Sequence, residues 1–277
     1  TGLGDDKNIW GGEFFVYQNK ELHRRFHFGY FPVLLGDKMA KEPRLSALCL
    51  CHELGEATHI LRTKFTEAEW SLYQKLLTKE GSLQCSSAGR IFDAVASLLR
   101  LSDKQSYEGE AALLLETAAQ NYFTVNGYEF SETYRLDEMK AGKISTAGLF
   151  AGMLTDIKNG RPADFIAAKF HYSLVQLVKE FTKQLNLQQI AFSGGVFQNA
   201  VLVDLLLQYL GQTHQLYFHK QLSPNDESIS FGQMVYYDHN IDNVQLYNKA
   251  GKQLQDASAT SKATLFNNAR AHGVVQG

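Results

Sequence analysis

The stretch Gln188-Gln-Ile-Ala-Phe-Ser193-Gly194-Gly195-Val196-Phe-Gln-Asn199 holds the residue types best suited to bind an anion. Ile190, Ala191 and Phe192 read as a short buried strand, Ser193 to Gly195 as a small-residue turn, and the rest as a helix running to Leu210 and stopped by Gly211. Two glycines at a strand-to-helix turn let a ligand approach the backbone closely. The N–H groups heading the next helix then favour an anion such as a nucleotide phosphate. A plain tight turn is the commoner use of such a pair, so the reading depends on what else reaches the same place. Asp93 is one candidate, a lone carboxylate in the apolar run Ile91 to Leu99. A solvated helix face or a charge near a helix start explains it more plainly. Asp226, in the turn Ser223-Pro-Asn-Asp-Glu227, is another, with capping of a helix near Ser228 as its plain explanation.

Two histidine patterns fail on spacing. His23 and His27 stand four apart, which on a helix could share a metal, but the segment alternates as a strand and separates them by about 13 Å. His52-Glu53 resembles the start of a zinc-protease motif, yet the position that needs the second histidine is Glu56.

The elements that must hold these residues follow from periodicity. Phe14 to Tyr17 and Leu22 to Phe28 form a β-hairpin around Gln18-Asn19-Lys20. From Pro43 the period becomes helical: Leu45, Leu48, Cys49 and His52 share one face. Thr66-Glu-Ala-Glu69 is a capping box that opens a second helix. Further helices span Ile91 to Leu99, Ala111 to Gln120, Thr146 to Asn159 and Ala163 to Leu185, the last delivering the chain into the Ile190 strand. A strand at Gln215 to His219 and a helix around Phe231 and Met234 complete the order. With 277 residues, 44% hydrophobic and 20% charged, the chain has ample core for a globular protein. Its formal charge of −2 gives no reason to expect nucleic-acid binding, and no apolar run is long enough for a membrane span. Three cysteines without a CxxC pair argue against disulfides or a cysteine-rich zinc site and fit a reducing cytoplasm. Thr1-Gly-Leu-Gly4 begins in mid-turn, so the chain is expected to be a piece of a longer one.

This order is that of an α/β, ribonuclease-H-like (actin or sugar-kinase-like) half-domain with a large helical insertion. We expect residues 1–35 to be the hairpin part of the core and 36–185 the insertion with its helices. Residues 186–237 would be the strand-helix-strand-helix part, and 238–277 a polar tail. Ligands of open α/β folds gather beyond the strand ends. Gly11-Gly12, Gly194-Gly195 and Asn225-Asp226 would meet there, with Asp93 arriving from the insertion.

The runs Thr1-Gly-Leu-Gly-Asp5, Ile9-Trp-Gly-Gly-Glu13, Glu42-Pro43, Ser86-Ser-Ala-Gly-Arg-Ile-Phe-Asp93, Tyr107-Glu-Gly-Glu110, Phe170-His171, Ser193-Gly-Gly-Val-Phe-Gln-Asn199 and Pro224-Asn-Asp226, in this order, resemble the hydrogenase-maturation carbamoyltransferases, the HypF family. The likeness covers residues 1 to about 237 and corresponds to the C-terminal part of that family's last domain, which has the actin-like fold of the threonylcarbamoyladenosine synthases. It implies transfer of a carbamoyl group from carbamoyl-adenylate, made upstream from carbamoyl phosphate and ATP, to the C-terminal cysteine of a partner maturation protein, HypE. A homodimer is compatible with it. By motif, Gly11, Gly12, Gly194 and Gly195 would line the phosphates, Asp93 and Glu110 would bind the ribose, and Asn199 would contact the nucleoside. Asp226 would be a catalytic ligand of a divalent metal, zinc or iron, whose other ligands lie upstream. Two departures stand out. Glu227-Ser228 replaces the family's Gly-Gly, and the family's arginine after Glu-Pro falls one residue beyond Arg44. The competing readings are a small-molecule O-carbamoyltransferase or another actin-fold ATP-binding enzyme, and a non-catalytic module that docks a partner.

Overall fold

A computed structural model describes residues 2–240 except 20, 56, 80 and 141. The chain divides into two compact units, 1–227 and 228–277. The expected tail lies outside the described residues from 241 onward.

In the first unit, β1 (Gly2–Leu3), β2 (Ile9–Trp10) and the hairpin strands β3 (Glu13–Gln18) and β4 (Glu21–Phe28) lead to β5 (Phe31–Pro32). The hairpin is the one expected, and His23 and His27 do lie on a strand. A bulge at Phe14/Phe15 shifts its register. Phe14 packs inward against Phe28 and Phe181, while Phe15 faces out.

Helices α1 (Asp37–Lys41), α2 (Pro43–Cys51), α3 (Ala57–Arg62) and α4 (Glu67–Leu77) follow. The α4 capping box forms as read, with the Glu69 N–H on Thr66 Oγ1 and the Thr66 N–H on the Glu69 carboxylate. Next come β6 (Gln84–Cys85), α5 (Ala88–Leu98), α6 (Glu110–Asn126), β7 (Asp137–Lys140), β8 (Lys143–Ser145), α7 (Ala147–Lys158) and the long α8 (Ala163–Gln184). The unit closes with β9 (Gln189–Ala191), α9 (Ala200–Leu210) and β10 (Gln215–Tyr217). The strands order as β1-β2-β6-β5, β3-β4-β8-β7 and the parallel pair β9-β10, so the chain is mixed α/β. In the second unit α10 (Ile229–Asn240) is described.

α5 is the centre of the first unit. Every residue from Ile91 to Leu98 is buried, and α2 and α6 pack on it. A helix apolar all round has no solvent face to present. This overturns the solvated-face explanation of Asp93.

Cys49, Cys51 and Cys85 are all buried and unpaired. Burial pushes the Cys49 thiol up to about 12 and raises those of Cys51 and Cys85. The folded protein should therefore resist a thiol-specific disulfide reagent, which would titrate all three only after denaturation. Rapid labelling of the native chain would contradict this packing.

Candidate functional site

The segment after β9 differs from its expected form. Gly195–Gln198 is a single 3-10 turn, and α9 starts only at Ala200. Asn199 breaks the run as the N-cap, its Oδ1 accepting the Leu202 N–H at 2.8 Å, while the Ala200 N–H donates to Glu116 Oε1 at 2.7 Å. The head of α9 is thus served by an amide and a carboxylate of the chain itself. It does not aim its N–H groups at the glycines, as the sequence had suggested. Asn199 Nδ2 donates to His171 Nε2 at 3.0 Å, and His171 Nδ1 lies 2.8 Å from the Ala167 carbonyl. Nδ1 therefore carries the imidazole proton and Nε2 is the acceptor. Full burial holds the His171 imidazole well below its ordinary value, at about 4. Asn199 was expected to contact a nucleoside. Here it is buried, with Oδ1 and one Nδ2 hydrogen already committed.

The four glycines separate into two kinds. A Cβ on Gly12 would sit 2.3 Å from the Ser86 carbonyl oxygen and 2.5 Å from the Phe28 ring. The missing side chain there serves internal packing. The N–H groups of Gly11 and Gly12 turn onto Glu13 Oε1 at 3.3 and 3.5 Å. Gly194, by contrast, has φ 114° and would meet nothing within 4 Å, and a Cβ on Gly195 would meet only Asn225 and Gln198 at 3.9 Å. That is the open backbone that ligand approach requires.

Glu13 and Arg24 were missed as working residues by the sequence reading. The Glu13 carboxylate also accepts from Ser86 Oγ, and its Oε2 is paired with Arg24 Nε at 2.5 Å. Arg24 lies over the Trp10 ring at 3.9 Å and bonds Asp6 and Tyr30. The hairpin is thereby tied to the head of α5, where the Ala88 N–H donates to the Gly11 carbonyl. The only local signal was charge in a hairpin, because Glu13 and Ser86 are 73 residues apart.

Asp93 is 2% exposed. Arg90 Nη1 comes within 2.7 Å of Oδ2, yet the approach lacks hydrogen-bond geometry, and Oδ2 has no hydrogen-bond donor among the described residues. Desolvation raises the carboxyl to about 6, against the downward pull of Arg90. A buried acceptor left without a donor fits a hydroxyl-bearing ligand such as a ribose. Glu110 opens α6, and its Oε2 takes the Ser106 N–H at 2.5 Å and Ser106 Oγ at 2.9 Å. These bonds lower its carboxyl.

Some expected partners come together and others do not. The Gly194 N–H donates to the Pro224 carbonyl at 2.7 Å, which joins the Gly194-Gly195 turn to the Asn225-Asp226 turn. α5 meets Gly11 and Gly12 at its head and the 195–198 turn along its side. Asp226 is exposed. Among the described residues no group of three or more His, Cys, Asp or Glu side chains could hold a metal ion, so Asp226 supplies one carboxylate and not a metal centre. Arg44 is buried, bonded to Glu42, Glu69 and the Lys64 carbonyl, and packed over Phe65. It holds helices together.

Comparison with known proteins adds the context. The family model described as "Carbamoyltransferase, Kae1-like Domain, second subdomain" matches residues 1–233. Carbamoyltransferase HypF of Synechocystis is 28% identical over 261 residues, 85% of this chain and 32% of that protein. Carbamoyltransferase HypF of Rhodobacter capsulatus is 30% identical over 242 residues, 84% and 30% of the two chains. The chain thus spans about a third of the length of these relatives. A crystal structure of full-length HypF in the phosphate- and nucleotide-bound form superposes with a TM-score of 0.77 at 27% identity, covering 87% of this chain and 32% of that one. HypF of T. kodakarensis, at 21% identity and a TM-score of 0.70, shares the fold. No helix among the described residues is long and apolar enough to cross a membrane.

Proposed function

This chain belongs to the HypF carbamoyltransferase family, in the second subdomain of its Kae1-like domain, and from that premise we propose that it is the nucleotide-holding half of a carbamoyl-transfer site in a longer protein. The substrate is carbamoyl-adenylate, made from carbamoyl phosphate and ATP by upstream domains. The acceptor is the C-terminal cysteine of a partner maturation protein, HypE, on the route to nickel–iron hydrogenase. The observation that carries the reading is Asp93, a buried carboxylate with an unmet acceptor on the helix that meets both glycine turns. Asp93 accepts hydrogen bonds from the ribose hydroxyls, with Glu110 nearby in the chain at the next helix head. Gly194 and Gly195 leave room for the phosphate. Gly11 and Gly12, through Glu13, set the head of α5, and Asn199 keeps one Nδ2 hydrogen for the nucleoside.

Asp226 is the single ligand this chain contributes to a divalent ion, zinc or iron, whose remaining ligands lie elsewhere in the longer protein. The test is mass spectrometry of the partner's C-terminal cysteine after incubation with full-length protein, carbamoyl phosphate and MgATP. Gain of one carbamoyl group supports the reading, and an unmodified cysteine sinks it. In the same assay Asp226→Asn, which keeps the shape and much of the turn-forming ability, should melt within about 0.5 kcal/mol of wild type. It should nevertheless lose both bound metal and transfer. Full metal occupancy in that variant would reduce Asp226 to a turn residue.

A further inference from the structure

Ser193 and His219 stand at the carboxyl ends of the parallel strands β9 and β10. The strand register pairs Gln189 with Gln215, Ile190 with Leu216 and Ala191 with Tyr217, so Ser193 and His219 leave the sheet at one level. Between them and the sheet, the Phe192 and Phe218 rings stack at 4.8 Å, and the Phe192 N–H donates to the Tyr217 carbonyl. This fixes the two backbones where the side chains emerge. His219 Nε2 lies 3.1 Å from Ser193 Oγ, and both residues are exposed. Gly194, next in sequence, is the open turn bonded to Pro224.

His27 and His52 turn Nδ1 onto backbone carbonyls, His171 is buried, and His23 is beside Glu21. His214 also meets a hydroxyl, that of Thr213 at 2.8 Å, but Thr213 is its own chain neighbour and not a residue of the other strand. A hydroxyl held on an imidazole nitrogen at the ligand-gathering edge of a parallel sheet is an arrangement for moving a proton.

We propose that Ser193 and His219 form the proton relay for the acceptor thiol. This rests on the carbamoyl-transfer reading given above. The thiol S–H breaks as its proton passes to Ser193 Oγ, while the Ser193 hydroxyl proton passes to His219 Nε2. Sulfur bonds to the carbamoyl carbon, the carbon–oxygen bond to the adenylate phosphate breaks, and AMP leaves as the anion. The imidazolium returns its proton to water, so the serine and imidazole are restored.

A free thiol ionises near 8.5. The relay therefore matters at neutral pH and becomes idle once the thiol is already a thiolate. The experiment measures single-turnover S-carbamoylation of a synthetic peptide ending in cysteine by the full-length protein, with carbamoyl phosphate and MgATP, at pH about 7 and about 9.5. Ser193→Ala and His219→Gln should each slow transfer by roughly 100- to 10,000-fold at the lower pH. The double variant should be no slower than either single one, because the pair works as a unit. At the higher pH the deficit should shrink to about tenfold or less, with nucleotide affinity by calorimetry unchanged at both. Wild-type rates at neutral pH overturn the relay, and so does an equal loss at both pH values, which would mark a structural role. A wild-type protein that makes carbamoyl-adenylate yet never modifies the peptide overturns the transfer reading and the relay together.

Discussion

Asp93→Asn should make the protein more stable and worse at holding a nucleotide. At pH about 8 the native state carries a carboxylate whose burial raises it to about 6, while the unfolded chain ionises it near 3.8. The shift of about two units corresponds to a penalty on the order of 3 kcal/mol above the folded value. A neutral amide removes that penalty, and the net gain should be about 1–3 kcal/mol because its N–H groups need partners of their own. Thermal melting should rise by several degrees. The ribose would lose a charged acceptor, and affinity for ATP in the full-length protein should fall about 10- to 100-fold. A variant that melts lower and binds as well as wild type would remove Asp93 from the site.

The same variant should expose an acid sensitivity that wild type hides. His171 is neutral in the fold at about 4 but takes up a proton near 6.5 when unfolded. Its folded value is depressed, so its contribution is intact above 6.5 and is lost as pH falls from 6.5 through 4. Asp93 has the opposite sign. Its folded value is raised, so stability increases as pH falls from about 6 toward 3.8. The two largely offset each other in one window. Between pH about 7.5 and 4.5, Asp93→Asn should therefore lose about 2 kcal/mol more than wild type does. Denaturant melts at the two values decide it, and parallel losses would mean that the Asp93 carboxyl is not raised in the fold. A proton on Nε2 would also meet the Asn199 amide head-on, so the head of α9 should loosen first.

Local grammar made much of this fold legible. Strand alternation placed His23 and His27, Thr66 and Glu69 announced their cap, and the period of α8 gave its length nearly to the residue. The failures share one cause. Asn199 as a helix start competes with an equally good turn at Ser193 to Gly195, and only its contacts with His171 and Leu202 decide between them. The burial of Asp93 depends on α2 and α6 closing over α5, which no window around residue 93 contains. Nor does a sequence reveal that Ser86 and Phe28 fill the space of the side chain that Gly12 lacks. Likewise, Ser193 and His219 are 26 residues apart and meet only because β9 and β10 pair in parallel register.

A helix surrounded on every side cannot fluctuate by itself. From Ile91 to Leu98 the backbone amides of α5 should exchange with deuterium only when the whole unit opens, whereas the exposed turn around Gly194 can open locally. Asp93 should thus keep its position when a nucleotide binds, with the entropy of ordering it already lost during folding. Divergence among proteins of this architecture should follow the same boundary. The buried helix resists substitution at almost every position, so changes in what is bound must accumulate in the turns that face it.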